Sequence, residues 1–172
     1  MSDFNFKSTL SLSPPKVNVS WKNPLLRART DLALLKGMRE GARMVGRELD
    51  TGLDKAMDAS VWGWDRTTLR KNGSTVSTPR NIVDTGQLKS SKQVEYAQYP
   101  GNTVFSINYT APYAKFVHFG GIIQPYGNKN AASVLVPARP WVEAVLYGTY
   151  GMEKLPLKEI YGRAIRDAWS EI

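Results

Sequence analysis

The sequence predicts an α+β fold: an antiparallel β-sheet packed against one long N-terminal helix and shorter C-terminal helices, with an extended N-terminal arm. Three observations carry that prediction. Apolar residues recur at spacings of three and four from about Thr30 to Ala59, and a second such stripe runs from Leu157 to Ile172. Between them, two strand-like runs, Lys92–Tyr99 and Thr103–Tyr109, flank Pro100-Gly101-Asn102. A helix buries a stripe and a sheet buries a face, so these elements are expected to cover one another. At 172 residues and 42% apolar content, the chain suits one compact α+β domain, residues 25–172, behind an arm of residues 1–24.

In the arm, Phe4, Phe6, Leu10, Leu12, Val17, Val19 and Trp21 alternate with polar residues around Pro14-Pro15. Alternation predicts extended chain with one face that needs cover, from its own domain or from a neighbouring subunit. In the long helix, Leu34, Met38, Ala42, Val45, Leu49, Leu53 and Met57 form the apolar stripe, and Thr30 or Asp31 can cap the start. About 28 residues at 1.5 Å each make it roughly 40 Å long. Gly37, Gly41, Gly46 and Gly52 weaken an exposed helix, so they imply close packing or a bend.

Val61 to Pro79 reads as a loop or short ribbon turning at Lys71-Asn72-Gly73-Ser74. Its Trp62 and Trp64 are core pegs or, beside Arg66, Arg70 and Lys71, stacking platforms for single-stranded bases. Pro100-Gly101 predicts a hairpin whose apolar faces are Val94 and Tyr96 on one strand and Phe105, Ile107 and Tyr109 on the other. Pro112 opens a short helix with Tyr113, Phe116 and Val117, stopped at Gly120-Gly121. Its His118, the one histidine, reads as packing or an exposed polar group rather than a catalytic base. Ile122–Gln124 and Val134–Val136 follow as short strands around a polar loop, Pro125 to Ser133. Pro140 starts a helix over Trp141, Ala144 and Val145 that ends near Gly148, and the last helix places Leu157, Ile160, Tyr161, Ala164, Ile165, Ala168 and Trp169 on one wide stripe.

No run of eighteen apolar residues and no signal-peptide pattern is present, so a soluble protein without a membrane partner is expected. Without cysteine there are no disulfides, thiolate sites or cysteine nucleophiles. One histidine and no clustered carboxylates give no reason to expect a metal, a cofactor or metal-assisted hydrolysis. The net charge of +8 is uneven: residues 1–80 carry 14 basic and 8 acidic side chains. Arg66, Arg70, Lys71, Arg80, Lys89 and Lys92 face only Asp84 within their window, a candidate band toward an acidic neighbour or nucleic acid.

The organising stretch is Arg80 to Ser91, where Ile82-Val83 run into Asp84-Thr85-Gly86. Asp84 and Thr85 offer acceptors for free backbone N–H groups, Gly86 tolerates positive φ, and Leu88 is the inward anchor, so the four residues predict a structural turn or helix start. The competing reading is a retroviral-type aspartic-protease motif, in which two subunits each contribute one Asp. Ile160-Tyr161-Gly162-Arg163 echoes that family's second signature. Against it, Gln87 stands where a small residue is expected, Lys89-Ser90-Ser91 follows, the Gly162 region reads as helix, and no glycine-rich flap lies between the motifs. No catalytic residue is assigned.

Four pieces occur in order: Trp64 with Thr67, Thr68 and Leu69; Ile82 to Leu88 with Ser90 and Ser91; Tyr113 to Gly121; and Pro137-Ala138-Arg139-Pro140-Trp141. Together they resemble the virion-morphogenesis, or tail-completion, proteins of tailed bacteriophages. The resemblance covers Trp64 to Trp141 and leaves residues 1–60 and 149–172 outside it; Trp141 stands where Phe is expected. It implies a structural virion protein, made in the host cytoplasm, that forms a ring at the neck and completes the tail or joins it to the head. Other neck and tail proteins would be its partners, with double-stranded DNA passing through. The expected assembly is a homo-oligomeric ring, a hexamer, with the arm or the last helix docked on an adjacent subunit through Phe4, Phe6, Trp21, Tyr161 and Trp169. A nucleic-acid-binding module using the 66–92 band is the alternative.

Overall fold

A computed structural model describes residues 6–14, 23–64, 73, 82, 86–124 and 132–171. The fold is mixed α+β, with a long N-terminal helix, antiparallel sheets and shorter C-terminal helices, as the residue patterns predict. The strands are β1 (Phe6–Leu12), β2 (Lys92–Tyr99), β3 (Asn102–Tyr109), β4 (Gly121–Ile123) and β5 (Val134–Val136). The helices are α1 (Pro24–Asp58), α2 (Gln87–Ser90), α3 (Ala114–Phe119), α4 (Trp141–Tyr147) and α5 (Leu157–Ser170). One sheet has the order β1-β3-β2, and β4 pairs with β5 through Gly121 and Val136, Ile122 and Leu135, and Ile123 and Val134.

The long helix starts earlier than its apolar periodicity indicates. Asn23 accepts the Leu25 N–H at its Oδ1 (2.9 Å) and the Arg27 N–H at its carbonyl (3.2 Å), and Pro24 takes the first helical position. That is an N-cap followed by proline at N1. Thr30 is therefore no cap: its hydroxyl donates back to the carbonyls of Arg27 and Leu26 inside the helix. From Met38 to Met57 the predicted stripe is buried.

Residues 6–12 are not a free arm. They form a strand beside β3, and the chain itself buries Phe6 and Leu12. The alternating pattern had left open who supplies the cover, and for these residues it is the same chain. β3 alternates as expected, burying Thr103, Phe105, Ile107 and Tyr109. β2 departs from expectation because it is the sheet's edge: Val94 is half-buried and Tyr96 is exposed. β4 starts one residue earlier than read, at Gly121. Gly120, at φ 69°, needs to be glycine, since a Cβ there would lie 2.6 Å from the Ala138 nitrogen.

The chain groups into two compact units. The first comprises Met1–Lys7, Gly52–Gln93 and Asn108–Lys154. Its core is aromatic: Trp141 meets Tyr109 edge-on at 5.3 Å and His118 edge-on at 4.6 Å, and Phe6 lies 4.1 Å from the His118 ring. Trp62 is a core peg whose indole N–H donates to the Ala56 carbonyl at 2.6 Å. Trp64 is half-buried, with the Arg139 guanidinium 5.9 Å from its ring centre.

The second unit comprises Ser8–Thr51, Val94–Ile107 and Leu155–Ile172. Here α1 and α5 approach at glycine. A Cβ on Gly37 would stand 2.7 Å from the Ile165 Cα, and one on Gly41 would stand 2.8 Å from the Tyr161 ring. Two of the glycines that looked misplaced in a helix thus create the contact, while Gly46 has no such neighbour among the described residues. The wide stripe of α5 is spent on this packing, with Tyr161, Ala164, Ile165 and Ala168 buried.

Candidate functional site

Of the predicted turn, Asp84 and Thr85 lie outside the described residues. Gly86 adopts φ 79°, the left-handed conformation expected of it, and Leu88 is buried. Gly86 is itself the N-cap of α2, which has no side-chain cap bond. Ile160 to Arg163, the second half of the protease-like pair, sits inside α5.

Of the basic band, Arg66, Arg70, Lys71 and Arg80 lie outside the described residues. Lys89 and Lys92 do not present free charge: Lys89 Nζ lies 2.7 Å from Asp58 Oδ2, and Lys92 Nζ lies 2.5 Å from Asp54 Oδ1. The Lys92 side chain is only 7% exposed. The Asp58 carboxylate holds the Lys89 pKa above its usual value. A local charge count misses these partners because α1 brings them from more than thirty residues away.

Of the candidate subunit contacts, Phe4 and Trp21 lie outside the described residues. Phe6 and Tyr161 are corrected, since each is buried by its own chain, Tyr161 with its hydroxyl 2.7 Å from Thr103 Oγ1. Trp169 is half-buried.

His118 is the most chemically distinctive residue described. It is fully buried among Phe6, Phe119 and Trp141, and its Nε2 lies 2.6 Å from Glu143 Oε2. The contact lacks hydrogen-bond alignment, and Nδ1 has no hydrogen-bond partner among the described residues. Burial pushes the imidazole pKa below its usual value, against the opposing pull of the Glu143 carboxylate. No hydroxyl bonds to either ring nitrogen among the described residues. Of the two sequence readings of His118, full burial corrects the exposed polar group and leaves the packing residue.

Two apolar surfaces stand open instead. On the second unit, α1 turns Leu25, Leu32 and Leu35 outward, Leu32 at 69% and Leu35 at 52% exposure. Leu32, Leu35, Arg39 and Arg43 border a groove of about 720 Å³, with Tyr96 and Gln98 of β2 across from them. Arg43 pairs with Glu40, and Lys36 with Glu171. On the first unit, the β4–β5 ribbon sets Ile122 (71%) opposite Leu135 (69%), and Phe119 is also exposed. Sequence reasoning missed both surfaces. The signal for α1 was present in Leu25, Leu32 and Leu35, which stand off the buried stripe and make the helix apolar on two sides.

Among the described residues, no group of His, Cys, Asp and Glu side chains could hold a metal, and no helix is long and apolar enough to cross a membrane. No protein-family model, no curated protein and no solved structure matches this chain.

Proposed function

We propose that the chain is a structural assembly protein of a tailed bacteriophage, forming a ring of identical copies at the neck that completes the tail or joins it to the head. The observation that carries this reading is the pair of unlike exposed apolar surfaces, one on each compact unit. Water penalises such surfaces, and exposed apolar patches mark contact sites. A head-to-tail contact needs two different surfaces on each copy, and it closes into a ring when the rotation between copies permits. The α1 face of one copy would meet the β4–β5 ribbon of the next. The resemblance from Trp64 to Trp141 supplies the neck location.

β1 and the buried stripe of α5 no longer serve as exchanged segments, since both are covered within the chain. Cross-linking in purified virions of the encoding phage tests the proposal. Links between the α1 face and the ribbon of a neighbouring copy are expected, and loss of the protein should leave filled heads and tails that do not join into infectious particles. Absence of the protein from the particle would overturn the neck assignment.

A further inference from the structure

The glycine of α5 has no packing reason to be there. Glycine weakens a helix interior relative to alanine, and Gly37 and Gly41 answer for that weakness by close approach. At Gly162, by contrast, φ is not left-handed, and apart from the backbone of its own helix a Cβ would meet, among the described residues, only the Nη1 of Arg166 one turn along α5, at 3.4 Å, an ordinary contact with the tip of a flexible side chain. Gly162 lines a cleft of about 430 Å³ in the second unit, where the missing Cβ leaves room. That falls within the range of roughly 300–1,000 Å³ typical of small-ligand sites.

The lining of the cleft has one electrostatic sign. Lys158, Gly162 and Arg166 follow one another at helical spacing, so the two cations stand on either side of the glycine. Ser11 at the end of β1 and Ser13 just past it bring hydroxyls, and no carboxylate lines the cleft among the described residues. Neither Lys158 nor Arg166 has an ion pair among the described residues, unlike Lys36, Arg43, Lys89 and Lys92. The Tyr161 hydroxyl is committed to Thr103, so its ring serves as wall.

We propose that this cleft binds a small phosphate-bearing ligand. The Arg166 guanidinium presents a planar fork that fits phosphate oxygens, Lys158 adds a point charge, and the serine hydroxyls are further donors. The two cations are eight residues apart, about 12 Å along the helix axis, so they reach one ligand by converging along their long side chains, and two linked phosphate groups offer them more oxygens and more charge than a single phosphate.

Calorimetric titration of the full chain with sodium pyrophosphate, inorganic phosphate and a short single-stranded oligonucleotide tests this, with amide chemical shifts to locate binding. Pyrophosphate should bind one to one, more tightly than phosphate, and shift Ser11, Ser13 and Gly162. Arg166→Gln should weaken binding by about tenfold or more, and Lys158→Gln should weaken it too, while Lys115→Gln, which is not among the lining residues, leaves it unchanged. Gly162→Ala should move two readouts in opposite directions, weakening pyrophosphate while raising the thermal midpoint by roughly 2–4 °C. No saturable pyrophosphate binding, equal losses in Lys115→Gln and Arg166→Gln, or binding of the oligonucleotide alone would each overturn the proposal.

Discussion

Replacing Gly37 with Ala adds one methyl group at the point where α1 meets α5. The new Cβ would stand 2.7 Å from the Ile165 Cα and 3.1 Å from the Ala164 carbonyl oxygen, both backbone atoms that no rotamer change can move aside. Two effects oppose each other. Alanine favours the helix by about 1 kcal/mol over glycine, whereas overpacking a close contact costs typically about 1–3 kcal/mol. The net result at Gly37 is therefore a loss of up to about 2 kcal/mol. Gly46 is the matched control: it lies in the same helix, and its Cβ would meet nothing within 4 Å, so Gly46→Ala should gain about 0.5–1 kcal/mol. Urea unfolding at equal protein concentration, read from midpoint and slope, separates the two variants. Equal stability of Gly37→Ala and Gly46→Ala would refute the close approach of the helices.

Two further stability predictions follow from buried polar groups. His118 titrates below its usual value because it is buried, so acidification through about 6.5 protonates the unfolded chain before the folded one and stability falls. The loss continues at no more than about 1.4 kcal/mol per pH unit until the folded-state pKa is reached. Urea midpoints at decreasing pH, with the C2 proton of this one histidine followed by NMR, check it; stability that rises on acidification would mean that the folded state holds an imidazolium paired with Glu143. Tyr161→Phe removes the partner of the buried Thr103 hydroxyl and should cost about 1–3 kcal/mol, whereas the double variant with Thr103→Val should recover part of that loss. Additive losses in that cycle would show that the two hydroxyls do not interact.

Periodicity made the element order legible, because the α1 stripe, the β3 alternation and the turns at Pro100-Gly101 and Gly148 are local signals. The start of α1 was equally local, in Asn23-Pro24, but an apolar count overlooks a cap. What the sequence withholds is pairing at a distance. Nothing near Lys89 and Lys92 announces Asp58 and Asp54, and alternation in Phe6 to Leu12 cannot say whether the same chain or another supplies the cover. The apolar surplus of Leu25, Leu32 and Leu35 was visible, yet its meaning depended on learning that α5 occupies the opposite face. Gly162 was read only as part of an echo of a protease signature within a helix; its place in the lining of a cleft needs β1 and α5 in three dimensions.

Native mass spectrometry of two surface variants, separate and mixed, tests the ring most directly. One variant carries Leu32→Glu and Leu35→Lys on α1, and the other carries Ile122→Glu and Leu135→Lys on the ribbon. The wild type should form one closed oligomer, and each variant alone should be monomeric, because each keeps only one of the two surfaces. Mixed one to one, the variants should form heterodimers and nothing larger, since one intact α1 face can meet one intact ribbon. A monomeric wild type, or a mixture that stays monomeric while the wild type assembles, would contradict the head-to-tail account.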